Sequence, residues 1–288
     1  MKTRFFVLSI TVALLFVSLV SEVGAVTAKE YAVVINLSGR QRMLTQKMSK
    51  EMLLVASGVE AEKNRGALKK TAALFDTTLK GLIKGSKELG IPPTQNKSTL
   101  RVMGKVEKLW SEFKATVDTV VGGGNVPVDK VAALNLPLLK TMNTAVRLYE
   151  KSAAKDVGMK SGVVINLAGK QRMLTQKMSK EMLLVALKHN TQDNRGSLKR
   201  TASLFDRTLK GLRDGDKDMG LPATSDSAIV SQLDKVRGLW TEFKSLVDGV
   251  TDIDAGEVAA KDIEKMAVLN LPLLVEMNRA VKMYEVAE

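Results

Sequence analysis

From Leu37 onward the apolar positions recur in steps of three and four. Leu37, Gln41, Leu44, Met48, Met52 and Val55 fall on one line of a helix spanning residues 29–57, the spacing of a core-facing helix. Beside it runs a second line, Ser38, Arg42, Thr45, Ser49 and Ala56, small or polar apart from the one arginine. Small residues let another helix approach closely, so this helix is expected to have neighbours on two sides. Arg40, Lys47 and Lys50 lie further round and are expected in solvent.

The same periodicity predicts three more helices. The second covers about 62–89, with Leu68, Leu74, Phe75, Leu79 and Leu82 facing inward, and Gly90-Ile91-Pro92-Pro93 stops it. The third covers about 98–121 and points Val102, Val106, Leu109, Phe113 and Val117 inward. Gly122-Gly123-Gly124 breaks the chain, and Pro127 suits the first turn of a fourth helix over 127–152. Pro137, inside that helix, removes one backbone hydrogen bond and predicts a kink.

The chain then repeats itself. Ile35–Ala56 returns as Ile165–Ala186 with two differences, Ser38/Ala168 and Arg40/Lys170. Looser matches follow at the same offset, TAALFDTTLKGL against TASLFDRTLKGL and LWSEFK against LWTEFK. Packing alone tolerates swaps among apolar residues of similar volume. Identity that extends to polar positions therefore suggests a role for this helix besides filling a core. Four further helices are expected at about 163–187, 192–219, 226–250 and 257–286. Pro137 returns at Pro272, so the offset grows from 130 to 135 and an insertion falls within 249–262.

The fold class is thus all-α, two tandem antiparallel four-helix bundles, with copy 1 over 29–152 and copy 2 over 160–286. An even number of helices returns the chain to its starting end. A reversal at Gly158 and Gly162 would lay the copies side by side with their first helices parallel; continued helix would make a rod. Two glycines, each unfavourable by ~1 kcal/mol within a helix, favour the reversal.

Composition narrows the chemistry. Aromatics are only 4%, so Leu, Val, Met and Ala must build the cores. The sequence holds no cysteine and one histidine, His189, which sits beside a turn and is expected to be solvated. Neither a nucleophile–base pair nor a metal constellation can be assembled from these residues, and no enzyme or cofactor is expected. Met43, Met48 and Met52 resemble a soft-metal ladder, but their helical spacing without His or Cys assigns them to packing. Asp214, Asp216 and Asp218 imitate the start of a calcium loop whose glycine and final glutamate are misplaced. Lys2 and Arg4 ahead of an apolar run to Val20, then Gly24 and Ala25, read as a signal peptide over 1–25, cleaved after Ala25 or Ala28. The protein is then periplasmic or secreted; left uncleaved, residues 5–20 would anchor it. The net charge of +13 attracts anions. Outside the cytosol that points to small anions, lipid head groups or wall polymers rather than nucleic acid.

The run Ile35-Asn36-Leu37-Ser38-Gly39-Arg40-Gln41-Arg42-Met43, its copy Ile165-Asn166-Leu167-Ala168-Gly169-Lys170-Gln171-Arg172-Met173, and the Asn-Leu-Pro-Leu-Leu of each fourth helix resemble the PilJ-type sensor domain of type IV pilus chemotaxis transducers. That domain is related to the sensing domain of nitrate/nitrite sensor kinases. The resemblance implies a small oxyanion held where two first helices meet, by an arginine from each and a backbone group near the glycine. By motif position these are Arg42, Arg172, Gly39 and Gly169. The site would form between the first helices of the two tandem copies, taking the place of a symmetric dimer, or between those of a homodimer, with Ser38, Thr45, Ser49, Ala168, Thr175 and Ser179 lining the contact. The families' membrane-spanning and kinase or methyl-accepting signalling segments have no counterpart in this sequence, so a signal would leave through a membrane-bound signalling or envelope protein. The competing readings are an interhelical salt bridge for the arginines, an adaptor bundle docking an envelope or pilus-associated partner through the small stripe, and attraction to anionic surfaces by net charge.

Overall fold

A computed structural model describes residues 25–287 except 253 and 255; the signal segment lies outside the described residues apart from its last position. Among the described residues eight α-helices follow one another: α1 Ala28–Ala56, α2 Ala61–Lys84, α3 Lys97–Val121, α4 Val128–Val157, α5 Gly162–Ala186, α6 Thr191–Asp214, α7 Ser227–Thr251 and α8 Ala260–Val286. Among the described residues no helix is long and apolar enough to cross a membrane.

Local chemistry sets the boundaries. Thr27 and Glu30 form a reciprocal capping box at the start of α1. Asn96 and Asp226 cap α3 and α7 by accepting from two backbone N–H groups each. α2 and α6 stop earlier than the periodicity predicts, at Lys84 and Asp214 rather than 89 and 219. The next residues, Gly85 and Gly215, sit at φ 82° and 87°, a left-handed backbone that glycine reaches without steric cost. α4 runs through Pro137 as one helix and reaches Val157, past the expected end. The insertion is shared between the connection from Thr251 to Ala260 and the first turn of α8, both longer than their counterparts before Pro137.

Each set of four helices packs in sequence, α1 on α2 and α4, α3 on α2 and α4, and likewise α5 to α8. Gly158, at φ 67°, ends α4 and turns the chain back, so α5 begins at the end of the molecule where α1 begins. The copies lie side by side, and the largest helix–helix contact in the molecule is between α1 and α5. These two helices are therefore buried nearly all round, polar residues included. Gln41 and Gln171 spend their amides on the backbone carbonyls of Phe75 and Phe205, each at 2.8 Å.

The cores are the expected aliphatic ones, pinned by Phe75, Trp110 and Phe113 and their copies Phe205, Trp240 and Phe243. Met48 and Met52 are core residues. Several expectations need correction. α3 turns Met103 and Trp110 inward while Val102 and Leu109 are only partly buried, and Leu74 of α2 is 40% exposed. His189 is not free in solvent: its Nδ1 lies 2.8 Å from Asp129 at the start of α4, bridging the copies. Lys47 reaches Glu51 and Thr71, Arg40 lies against Thr78, and Lys50 crosses to Asn270, so none of the three is simply solvated. Asp216 and Asp218 both pair with Arg207.

Candidate functional site

The small stripe of α1 meets the small stripe of α5. Ser38, Thr45, Ser49, Ala168, Thr175 and Ser179 are all fully buried. Close helix approach is what their size allows, and it carries the two stripe arginines into the molecule. Arg42 and Arg172 are each 1% exposed and are the largest of the fully buried side chains.

Each guanidinium crosses to the other copy. Arg42 Nη2 donates to the Asn166 carbonyl at 3.1 Å, and Arg172 Nη2 donates to the Asn36 carbonyl at 3.2 Å and to Asn36 Oδ1 at 2.7 Å. The Nη1 groups turn the other way, to Asn143 Oδ1 on α4 and Asn278 Oδ1 on α8, both at 2.8 Å. The two Nη2 groups converge between the motif glycines. A Cβ placed on Gly39 would sit 3.3 Å from Arg42 Nη2 and 3.8 Å from Arg172 Nη2; on Gly169 the same two atoms would lie at 3.9 and 3.2 Å. Both Nη2 groups thus lie within 4 Å of a single point, and any side chain larger than hydrogen there would press on them. The four residues that the sequence singles out form one cluster.

The electrostatics of the cluster are unbalanced. Among the described residues no carboxylate lies within ion-pair distance of either guanidinium, which removes the salt-bridge reading. Glu150 on α4 and Glu285 on α8 sit one step back, binding Asn166 and Asn36 through their side-chain amides. Burial pushes Arg42 down to about 10, eased by the Glu150 charge and reinforced by repulsion from Arg147. Burial pushes Arg172 down to about 9, with Arg40 and Arg42 adding repulsion and Glu285 relieving it. Arginine stays charged in proteins, so two cations are held together out of water. The Nε of each is buried with no partner. Buried polar groups are satisfied as a rule, and an orphan donor on a buried charge marks a place where an acceptor is missing.

Further along α1 and α5 is a second polar layer that the sequence reading missed. Asn135 of α4 donates to the Thr45 carbonyl at 3.0 Å and to Ser49 Oγ at 2.8 Å, and accepts from Gln46 and from Lys180 of the other copy. Asn270 does the same with Thr175, Ser179, Gln176 and Lys50. Burial pushes Lys50 and Lys180 both down to about 8. Asn135 carried a signal that could have found it: it occupies a core position between Val131 and Leu138, where a polar residue needs a partner. Asn143 and Asn278 carried none, because they lie among ordinary surface residues of α4 and α8.

Comparison with known proteins gives this arrangement its relatives. The family described as "Type IV pili methyl-accepting chemotaxis transducer N-term" matches residues 27–136 and again residues 158–264. The methyl-accepting chemotaxis protein McpN of Pseudomonas aeruginosa is 29% identical over 119 residues, covering 41% of this chain and 21% of McpN. The chain thus spans about a fifth of that relative's length. The matched segments hold both first helices and both arginines, so the sequence resemblance and the side-by-side geometry coincide. The chain belongs to the family of type IV pilus chemotaxis transducer N-terminal domains and carries that sensory-type domain twice in tandem.

Proposed function

We propose that this protein is an extracytoplasmic sensory module that captures one small oxyanion of the nitrate or nitrite type between α1 and α5 of a single chain. One observation carries the reading: two fully buried guanidiniums converge between two glycines with no carboxylate in contact. A planar oxyanion matches planar donor forks. It would supply the acceptors that the Nε groups lack and cancel the repulsion between the arginines. Charge-assisted hydrogen bonds contribute ~1.5–3 kcal/mol each, so about four of them, two from each guanidinium, reach the ~8 kcal/mol of micromolar affinity. The second copy supplies what a dimer partner would supply, so the binding unit is the monomer. The signal then passes to a membrane-bound partner, in keeping with a family of transducer domains. Docking of that partner through the small stripe is not favoured, because the stripe is already consumed by the contact between the copies.

Thermal-shift screening of nitrate, nitrite and related oxyanions tests this. A rise in melting temperature that disappears in the Arg42→Ala, Arg172→Ala double variant supports the reading. Flat curves across the panel contradict it.

A further inference from the structure

The two flanks of the arginine pair are built from corresponding residues, yet only one of them is loose. On the α1–α8 flank the acid and the asparagine are tied, although Arg40 Nε is buried without a partner. Glu285 is bridged by Lys282 and bonded by Asn36, and the Asn36 side-chain carbonyl accepts from Arg172. Arg40 extends across the flank to Thr78 on α2. On the α4–α5 flank the equivalent groups are Glu150, Asn166, Arg147, Lys170 and Thr208. There the Asn166 side-chain oxygen is buried without a partner. No cation lies within ion-pair distance of Glu150 among the described residues. Lys170, one of the two departures from identity between the motif helices, takes the place of Arg40 and leaves Thr208 to a long contact with Met219. What remains is a groove of about 390 Å³ between α4, α5 and α6, lined by Arg147, Glu150, Asn166, Lys170, Thr208 and Met219 among others.

Asn166 is the partition between this groove and the arginines: its backbone carbonyl accepts from Arg42, and its amide donates to Glu150. Two cations among its lining residues, Arg147 and Lys170, would draw an anion in. The single acid there, Glu150, faces the path the anion takes. It is also the carboxylate nearest in effect to Arg42.

Resting on the oxyanion reading above, we propose that the ligand reaches the buried pair through the α4–α5–α6 groove alone, and that Glu150 acts as an internal stand-in for it. Glu150 neutralises Arg42 while the site is empty and competes with the incoming anion. Glu285, locked by Lys282 and Asn36, serves as a fixed counter-charge and does not compete. The duplicated chain has in this way become one-sided, which a symmetric dimer of single copies could not be.

The test is calorimetric titration of the full chain with sodium nitrate. Glu150→Gln keeps the shape and the hydrogen bond to Asn166 but removes the charge; it is expected to bind nitrate roughly three- to thirtyfold more tightly, the range a partly screened charge at this depth would produce. Glu285→Gln is expected to leave nitrate affinity within about twofold or weaken it. Leu204→Trp, which fills the groove from α6, is expected to slow nitrate exchange measured by NMR line shape, whereas Leu74→Trp, its counterpart on α2, is not. Equal effects of the two glutamine variants, or of the two tryptophan variants, would overturn the one-sided route while leaving arginine-dependent binding intact. Absence of nitrate binding in both the wild-type chain and Glu150→Gln would overturn the oxyanion reading and this inference with it.

Discussion

Replacing Arg172 with methionine separates a binding arginine from a structural one. Burial brings this guanidinium from the usual arginine range down to about 9. At ~1.4 kcal/mol per tenfold change in proton affinity, keeping it charged costs on the order of 5 kcal/mol. Its contacts recover part of this. Asn278 lies at the surface and would be rehydrated once the arginine is gone, but Asn36 Oδ1 is buried and would lose an acceptor role that costs ~1–3 kcal/mol. Methionine fills much of the volume, and Arg42 is freed of a like charge. The balance is a gain of about 1–2 kcal/mol for Arg172→Met in the absence of anion, opposite in sign to the ~3–5 kcal/mol loss expected when one partner of a buried ion pair is removed. For a chain of this size ~1 kcal/mol corresponds to roughly 2–4 °C in melting temperature. Scanning calorimetry in chloride- and nitrate-free buffer should therefore show the variant melting a few degrees above wild type. Adding nitrate at a hundred times its dissociation constant should raise wild type by ~2.7 kcal/mol and leave the variant where it was, reversing their order. A variant that melts far below wild type without ligand would refute this reasoning and mark Arg172 as part of the scaffold.

Other outcomes follow from the same geometry. Gly39→Ala puts a Cβ 3.3 Å from Arg42 Nη2, so it should weaken oxyanion binding about tenfold while stabilising α1 by ~0.5–1 kcal/mol, read by titration and urea melts together. Lys180 is only 8% exposed and is held down to about 8 from 10.5. A lysine depressed in the folded state binds fewer protons there than in the unfolded chain, so its burial penalty is complete below about pH 8 and fades as pH rises toward 10.5. Lys180→Met should accordingly be more stable than wild type by ~1–3 kcal/mol at pH 7, with the difference shrinking by pH 10 in urea titrations. Asn135→Ala removes bonds to Thr45, Ser49, Gln46 and Lys180 at once and should cost ~2–4 kcal/mol by the same assay.

Much of the fold could be read from residue spacing, because the three-and-four periodicity reports directly on which face of a helix is covered. Parity and Gly158 favour the side-by-side arrangement, whereas Arg42 and Arg172 stand out through the motif of the family resemblance, with which the row of small residues around Arg42 agrees. Errors arose where a side chain's fate depends on another element. Lys50 sits on the outer arc of α1 when that helix is considered alone, and only the arrival of α8 from the other copy encloses its ammonium. His189 was judged by its turn, yet its partner comes from α4. Leu74 satisfied the period of α2 but lies on the shoulder of its buried face, which one helix wheel does not resolve. The counter-charges Glu150 and Glu285 left no mark on the sequence beyond recurring at the same place in both fourth helices.

Stoichiometry is the most direct measure of whether one chain holds a complete site. Calorimetric titration of the protein, confirmed monomeric by light scattering in the same buffer, should give one nitrate bound per chain and no heat in the Arg42→Ala, Arg172→Ala variant. Half an equivalent per chain, two equivalents, or binding that survives loss of both arginines would contradict a site assembled between α1 and α5 of a single molecule.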